Sequence, residues 1–564
     1  MRRGVLQTLQ PYSVHLGRRK KLLAALFALG IAGSAAALST PLIGKAFIDA
    51  VVERGDYSSI PFIAAALVAL ALIDIAIGFV SRQVHARLSA GILVEIRQRL
   101  FGHCLYAPME SVERFRHGDL LSRFGSDIPK IQALLVDGVT GFLHNLLYLL
   151  LCAAILIYLS PVLALWSYLG VGLALVFTAA FRGPVERSTR GIREKMADLS
   201  HFLAERLGSL RAIRLHRAEA AEVHGLERLN QQLVGRVLKF QVVESAASQL
   251  PGLALTISLA WIYLLGGGQL QSGAISLGTF VAFVLYQGRL YGPASGLLGL
   301  VNTLQQARVS LDRVAEIFGD REVSERVDGT GSDSRAAICL EHVTFAYADS
   351  APVLDDLSLC ILPGQKVAIF GVSGAGKSTL VQMLFGLRKP TQGRVMVHSR
   401  ERLGYASAEP FLLHASVRDN LCYGNPERCE EAMVEAARLA EATKFILSLP
   451  QGFDTVIGGR GQSLSDGQRQ RLGLARLFLA DPEVMVLDEA FSAMDAQTES
   501  SVRANLFSAF ADRTVLSISH RLSGLEQFDR LLLMRHGKLI EVSEPELHAY
   551  FAANASDRER RSEA

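Results

Sequence analysis

Long uncharged apolar stretches occur throughout roughly the first 300 residues, and they restrict the possible folds of this chain more than any other feature. Hydrophobic residues make up 50% of its 564 residues, and the mean hydropathy is +0.27. Several windows of about 18–20 residues carry no charge, which is the length that crosses a hydrocarbon core of ~30 Å. The last 230 residues alternate short apolar strands with amphipathic helices. The sequence therefore predicts a membrane half followed by a soluble half.

Six membrane helices are predicted, and their connections are unequal. The third and fourth are joined by little more than Ser160–Pro161, whereas the second-to-third and fourth-to-fifth connections are long, charged and helical in pattern. The predicted spans are 22–50, 60–82, 138–159, 162–181, 249–268 and 275–297.

Basic residues at 18–21 directly precede the first span, which places the N-terminus in the cytosol. Six crossings then return the chain to the cytosol, where the soluble half must lie. A cleaved secretory signal peptide is the alternative interpretation, but the apolar segment is too long for one. The formal net charge of +4 is small and gives no reason to expect a nucleic-acid partner.

The six cysteines show no CxxC spacing, so the sequence predicts reduced or buried thiols and neither a metal site nor a disulfide framework. They are Cys104, Cys152, Cys339, Cys360, Cys422 and Cys429.

A phosphate-binding loop is predicted in the soluble half. The strand KVAIF is followed by GVSGAGKST at 371–379 and then by a helix, which is the context that such a loop requires. Its glycines let backbone N–H groups point at phosphate, and the helix N-terminus adds partial positive charge. We expect Lys377 to reach the β- and γ-phosphates of ATP and Ser378 to ligate Mg²⁺. The other candidate loop residues are Gly371, Ser373, Gly374, Gly376 and Thr379.

A second stretch, LSDGQRQRLGLARLFLADPEVMVLDEAFSAMD at 464–495, lies about ninety residues after the loop. Together the two motifs resemble the ATP-binding cassette (ABC) family, whose LSGGQ signature the second stretch nearly matches. The resemblance extends to the membrane half, where residues 94–132 and 199–226 are similar to the cytosolic extensions of ABC exporters. In those proteins each extension turns over in a short coupling helix on a nucleotide domain. Two solvated charged hairpins are the alternative interpretation.

The resemblance implies roles for further residues. Asp488, at the end of the strand EVMVL, would help to hold Mg²⁺, and Glu489 would be the general base that polarises the attacking water. His520, after TVLSIS, matches the switch histidine that contacts the γ-phosphate. Tyr347 matches the aromatic residue that stacks on adenine, and 492–495 match the D-loop that crosses a dimer interface.

The signature implies a dimer, because in the family it caps ATP bound to the opposite subunit. Ser465, Gly467 and Gln468 are the expected contacts. Asp466 replaces the usual glycine, and we expect it to be tolerated if it points away from phosphate or caps the helix.

Two other departures fall on segments that the family uses at the interface between cassette and membrane domain. Ala408 stands where a glutamine is usual, with Glu409 next to it, and Gly459 stands where a glutamate is usual. One interpretation of both substitutions is neutral drift with unchanged coupling. The alternative hypothesis is looser coupling of hydrolysis to transport, or coupling through Glu409 and Arg460.

Ionisable residues within the predicted spans are candidates for the translocation path, because charge inside a membrane is costly and often functional. Asp74, His144 and Arg289 are the candidates. For Asp74 the alternative is pairing inside the protein, and Lys45 is expected to pair with Asp49 at i,i+4.

The predicted fold is an all-α six-helix transmembrane domain with long cytosolic extensions (1–318), a linker (319–335), an α/β P-loop ATPase domain (336–550) and a charged tail (551–564). The expected activity is ATP-driven export across the cytoplasmic membrane, with ATP and Mg²⁺ as cofactors and the ATPase domain in the cytosol. The expected partners are a second copy of the chain, membrane lipids, and a peptide, lipid or amphipathic cargo. A heterodimer is less favoured, because Glu489 is intact. The alternative function is a membrane-anchored ATPase that regulates or senses without vectorial transport.

Overall fold

The computed structural model describes residues 17, 19–318, 336–347, 350–372, 374–398, 402–425, 427, 430–458 and 464–562. The chain divides into two compact units. One comprises Met1–Leu105 with Phe115–Arg321, and the other comprises Tyr106–Arg114 with Glu322–Ala564. The predicted linker, 319–335, lies outside the described residues.

The first unit is helical, as expected for apolar sequence that must satisfy its own backbone hydrogen bonds in lipid. Local sequence marks one sharp reversal: the Ser160 side chain accepts a hydrogen bond from the Leu163 N–H at 3.4 Å, and Pro161 occupies the first helical turn. The α-helices of this part of the chain, including the short α3 of the second unit, are α1 (Lys20–Ile48), α2 (Ile60–Tyr106), α3 (Met109–Glu113), α4 (His117–Ser122), α5 (Ile128–Ala133), α6 (Val139–Leu159), α7 (Pro161–Gly208), α8 (Leu210–Leu215), α9 (Glu219–Gln271) and α10 (Leu277–Phe318).

Within the described residues, five helical segments are long and apolar enough to cross a membrane. The last predicted span, 275–297, falls in α10, which is not one of the five. Six crossings therefore stay a prediction. The five segments are Lys20–Glu53, Tyr57–Tyr106, His117–Leu159, Pro161–Gly208 and Glu219–Gln271.

Close helix packing in this unit depends on small residues. A Cβ added to Gly170 of α7 would lie 2.2 Å from the Ser258 Cβ of α9, so only glycine permits this approach. The Ser258 hydroxyl donates to the Trp166 carbonyl at 3.1 Å, and the Trp166 and Trp261 rings stack at 5.4 Å. These contacts join α7 and α9 along their membrane-spanning parts.

The second unit is an α/β structure with two main sheets, which confirms the predicted fold class. Its six-stranded sheet has the order β11-β10-β3-β9-β8-β5, in which only the β10–β11 pair is antiparallel, and its three-stranded antiparallel sheet has the order β2-β1-β4. The strands are β1 (Ile338–Phe345), β2 (Leu354–Ile361), β3 (Lys366–Phe370), β4 (Gln392–Val397), β5 (Leu403–Ser407), β6 (Ala415–Ser416), β7 (Val456–Ile457), β8 (Val484–Asp488), β9 (Thr514–Ser519), β10 (Arg530–Arg535) and β11 (Lys538–Glu541).

Helices cover the sheets and complete two apolar cores, one around β1–β3 and one around the helical part from Val417 to Phe510. The last helix extends into the predicted charged tail. These helices are α11 (Lys377–Leu384), α12 (Val417–Leu421), α13 (Glu430–Leu439), α14 (Thr443–Leu447), α15 (Asp466–Ala480), α16 (Ala496–Ala509) and α17 (Glu544–Ser562).

The prediction that the cysteines form no disulfide is wrong for one pair. Cys339 of β1 and Cys360 of β2 are direct cross-strand partners, with Cα atoms 4.2 Å apart, and they are bonded. Cys104, Cys152 and Cys422 are free thiols, and Cys429 lies outside the described residues.

Candidate functional site

Three parallel strands of the large sheet bring the predicted catalytic segments to one edge. The loop at 371–376 follows β3, and His520 follows β9. Asp488 is the last residue of β8, and Glu489 comes directly after it. Because β3, β9 and β8 are neighbours and parallel, their carboxyl ends lie side by side. Ligands of open α/β sheets bind at such an edge.

The loop after β3 requires glycine at two described positions. Gly374 and Gly376 have φ values of +84° and +105°, in the left-handed region. A Cβ at Gly376 would also lie 2.7 Å from a Leu354 methyl group. Ser373 lies outside the described residues, so its predicted role stays a prediction.

Lys377 begins α11 and folds back over the loop. Its Nζ donates to the carbonyl oxygens of Gly371 at 2.7 Å and Val372 at 3.0 Å. Burial lowers the pKa of Lys377, while the nearby carboxylates of Glu489 and Asp488 oppose that shift. Its ammonium group therefore lies at the same strand edge as the two acidic residues.

Glu489 has a backbone conformation that is unusual for a residue with a side chain. Its φ is +54°, and its N–H donates to the Ile518 carbonyl of β9 at 2.9 Å. Strained backbone of this kind is concentrated at functional sites. The Glu489 Oε1 lies 3.1 Å from the His520 Nδ1, so the predicted base and the predicted switch histidine are in contact.

Asp488 is held differently. Burial raises the pKa of its carboxyl group, and a hydrogen bond from the Tyr405 hydroxyl, 3.3 Å from Oδ2, lowers it. Burial first, and then the negative charge of Asp488, raise the pKa of Tyr405 to about 12, so the phenol remains a donor at neutral pH. Tyr405 is absent from the predicted site residues, although its position on β5, the strand next to β8, could have indicated it.

The oxygen donors of Ser378 and Asp488 fit a hard cation such as Mg²⁺. Among the described residues, no group of three or more His, Cys, Asp or Glu side chains forms a metal site. Mg²⁺ in nucleotide enzymes is bound by one or two protein ligands together with substrate phosphates and waters, so such a group is not required.

Tyr347 follows β1, and its ring is 40% exposed. Its hydroxyl lies 3.1 Å from the Thr379 hydroxyl of α11, and the Arg388 guanidinium lies 4.9 Å from its ring centre. The ring predicted to stack on adenine is therefore tied to the helix that follows the phosphate loop.

Arg388 is a further residue that the motifs do not indicate. Its side chain is only 10% exposed, and its Nε donates to Gln382 at 2.6 Å. It also forms ion pairs with Glu110 at 3.7 Å and with Glu113. Both glutamates lie in α3, within the Tyr106–Arg114 segment that belongs to the second unit. Arg388 thus connects the Tyr347 ring with the short acidic helix.

The signature segment begins α15 with a capping box. Ser465 is the N-cap: its hydroxyl accepts from the Gln468 N–H at 3.3 Å, and the Gln468 side chain accepts from the Ser465 N–H at 2.9 Å. Asp466 does not cap the helix, because it occupies the first turn and forms an ion pair with Arg469. That pairing compensates its negative charge.

Gln470 is buried and joins three motifs. Its side-chain amide nitrogen donates to the Ala408 carbonyl at 3.0 Å and to the Ser492 hydroxyl at 2.8 Å, and its oxygen accepts from the Ala493 N–H at 2.9 Å. A Cβ at Gly467 would lie 2.8 Å from the Ala493 carbonyl, so α15 and the D-loop segment approach closely. A polar residue in an otherwise apolar stripe of α15 is the signal that could have indicated Gln470.

Of the departures from the family pattern at Ala408 and Gly459, only Ala408 lies within the described residues. The Ala408 N–H donates to the Asp488 carbonyl at 2.9 Å, which fixes the backbone there, and Glu409 is exposed. Gly459 and Arg460 lie outside the described residues.

The three translocation-path candidates line a single cavity of the first unit, with a volume of about 510 Å³. Asp74 comes from α2, His144 from α6 and Arg289 from α10. The expected Lys45–Asp49 pair is present at 3.2 Å.

Comparisons with known proteins agree with this architecture. The family model described as the ABC transporter transmembrane region matches residues 23–294, and the model described as ABC transporter matches residues 354–492. A leukotoxin export ATP-binding protein of Aggregatibacter actinomycetemcomitans is 30% identical over 523 residues, covering 90% of this chain and 73% of that protein. An ATP-dependent lipid A-core flippase of Nitrosococcus oceani is 28% identical over 519 residues, covering 90% and 86%.

The fold also matches a solved structure, that of a bacterial Atm1-family ABC exporter with ATP bound, with a TM-score of 0.76 and 22% identity over 96% of this chain and 98% of the other. A fatty acid ABC transporter ATP-binding/permease protein of Mycobacterium tuberculosis is 30% identical over 445 residues, covering 77% of this chain and 70% of that protein. With a membrane region and an ATPase domain fused in one polypeptide, the chain belongs to the ABC transporter family.

Proposed function

We propose that this ABC transporter is an exporter that works as a homodimer and alternates between inward- and outward-open states. One membrane unit and one ATPase domain are present in the chain, and the signature of the family acts on ATP bound to another subunit. The N-terminus of α15, capped by Ser465, offers the backbone donors that such a contact needs.

The contact between Glu489 and His520, at 3.1 Å beside the phosphate loop, carries the proposed mechanism. Glu489 accepts a proton from the attacking water, and His520 orients the Glu489 carboxylate and contacts the γ-phosphate. Mg²⁺, held through Ser378 and Asp488, would supply positive charge that stabilises the phosphate oxygens. Lys377 binds the β- and γ-phosphates.

Replacing the base tests this assignment. In Glu489→Gln we expect ATP turnover to fall by roughly 10²–10⁴-fold, the usual contribution of a general base, while ATP still binds. The variant should then accumulate as an ATP-bound dimer, measured by phosphate release and by size-exclusion chromatography with light scattering. Glu483→Gln, which removes a carboxylate just before β8, is the matched control. Wild-type turnover in Glu489→Gln would contradict the role of this residue.

The cargo class we propose is a small peptide, a lipid or another amphipathic compound. Its support is the cavity of the first unit, which combines ionisable and apolar side chains. Flux into the lumen of proteoliposomes, together with ATPase activity stimulated by the same compound, would establish vectorial transport. Stimulated hydrolysis without flux would favour a regulatory ATPase instead.

A further inference from the structure

The cavity that contains the translocation-path candidates has charges of both signs. Asp74 and Arg289 line the same space of about 510 Å³, together with His144 and Tyr148. Within the described residues no ion pair joins Asp74 to Arg289, and none involves Asp74 at all. One Arg289 Nη atom donates to the Ala37 carbonyl, and the guanidinium also hydrogen-bonds to the Tyr148 side chain. Since a guanidinium has five N–H donors, these two contacts anchor the group without using all of them. An acidic and a basic side chain thus line the same space of a membrane-spanning unit without forming an ion pair with each other.

A second cavity shares one lining residue with the first and is almost entirely apolar. Its volume is about 310 Å³, and it runs between the first half of α1 and the start of α6. Its lining includes Leu23, Leu26, Phe27, Ile31, Leu143 and Leu147.

His144 lines both cavities. Its ring lies against α1, since a Cβ at Gly30 would be 3.6 Å from the His144 Nδ1. A polar space and an apolar space thus lie on either side of one histidine side chain. Each volume lies in the range of ~300–1,000 Å³ that is usual for small-molecule sites.

We infer that the cargo of this site is a single-chain amphiphile whose headgroup carries both an anionic and a cationic group. The guanidinium of Arg289 suits a phosphate or carboxylate, the Asp74 carboxylate suits an ammonium group, and the apolar cavity takes one acyl chain. The apolar cavity that shares His144 with this space has a volume of only about 310 Å³, which favours one chain over two. This inference rests on the proposed export function and specifies its substrate class.

The test compares three probes with the same 16-carbon chain on the full-length protein in nanodiscs. They are a lysophosphatidylethanolamine, which is zwitterionic, a lysophosphatidic acid, which lacks the ammonium group, and hexadecylamine, which lacks the phosphate. We expect the zwitterion to bind and to stimulate ATPase activity at the lowest concentration. The preference over each singly charged probe should be about tenfold, in line with one hydrogen bond to a charged group.

The variants separate the two charges. Asp74→Asn should remove the preference over lysophosphatidic acid, and Arg289→Gln should remove the preference over hexadecylamine. Leu143→Trp, which fills the apolar cavity, should shift the preference towards a 10-carbon chain. Asp198→Asn and Arg236→Gln are the matched controls, because these exposed residues are absent from the lining of both cavities.

Two outcomes would overturn the inference while leaving export intact: an unchanged ranking of the probes in all three variants, or equal binding of a two-chain phosphatidylethanolamine, which would indicate a structural lipid. The proposed function fails differently. In that case no cargo, including peptides and the three probes, would give flux or stimulated hydrolysis with the wild-type protein.

Discussion

A single hydroxyl group contacts the acidic residue that we propose helps to hold magnesium. Tyr405 donates to Asp488 across neighbouring parallel strands, at 3.3 Å, and this bond opposes the effect of burial on the carboxyl group. The ring of Tyr405 also packs edge-to-face on Phe385. Tyr405 is therefore a positioning residue, whose hydroxyl can be removed without removing its ring contact.

Tyr405→Phe should raise the pKa of Asp488, since it removes an interaction that lowers this pKa. The acid limb of the ATPase pH profile should then move to higher pH, because the lost hydrogen bond no longer favours the ionised carboxylate. The Mg²⁺ concentration for half-maximal activity should rise in parallel. Tyr423→Phe, in the same unit, is the control. An unmoved acid limb would exclude a role for the Tyr405 hydroxyl at Asp488.

At the scale of elements, α3 and α11 are connected through Arg388. This nearly buried cation contacts the acidic residues of α3 on one side and the face of Tyr347 on the other. Cation–π contacts contribute ~0.5–2 kcal/mol, depending on desolvation. The orientation of the Tyr347 ring therefore depends on Arg388, whose guanidinium also forms ion pairs with the glutamates of α3.

Arg388→Met keeps an unbranched stem and removes the charge. We expect the KM for ATP to rise roughly three- to tenfold, with a smaller change in kcat, because the ring loses a contact of this size. Lys389→Met, at the exposed neighbouring position, provides the control. A fall in kcat at constant KM would show that Arg388 acts elsewhere.

The D-loop segment and α15 form another connected pair of elements, through Gln470. Replacing this side chain with leucine removes three part-buried hydrogen bonds, to the Ala493 N–H, the Ala408 carbonyl and the Ser492 hydroxyl, each contributing ~0.5–1.5 kcal/mol. Gln470→Leu should thus lower the thermal unfolding temperature and reduce ATPase activity at least tenfold. Gln497→Leu, on the exposed first turn of α16, should change neither quantity appreciably. Full activity in Gln470→Leu would contradict the proposed connection.

At the scale of the whole molecule, Ala408 motivates the hypothesis that hydrolysis is coupled to transport more loosely than is usual in the family. Ala408→Gln restores the usual residue in a segment whose backbone is already fixed by Asp488 and Gln470. If coupling is loose, the ratio of cargo-stimulated to basal ATPase activity should rise severalfold. Glu409→Gln tests whether the neighbouring carboxylate substitutes, in which case the ratio should fall. An unchanged ratio in both variants would support neutral drift.

Short sequence windows were sufficient for much of this molecule. Apolar length and a glycine-rich turn determine local structure directly, so the fold class and the phosphate loop could be predicted. The expected cap of α15 falls on the wrong residue, since Ser465 and not Asp466 is the N-cap. The Cys339–Cys360 bond and the contacts of Tyr405 and Arg388 could not, because they depend on strand register and on residues far apart in the chain. Arg469 and Asp466 are close in the sequence, but whether they form an ion pair depends on the rotamers of both side chains.

The approach of Gly467 to the Ala493 carbonyl has a consequence for the timing of the two ATPase reactions in a homodimer. Gly467 belongs to the end of α15 that would serve the partner's nucleotide, while Ala493 lies four residues after Glu489, the proposed base for the chain's own nucleotide. Because these backbone segments are in close contact, a displacement of one requires a displacement of the other. In the proposed homodimer, cleavage at one site would therefore move the segment that follows the proposed base of the other, and we expect the two sites to hydrolyse ATP cooperatively.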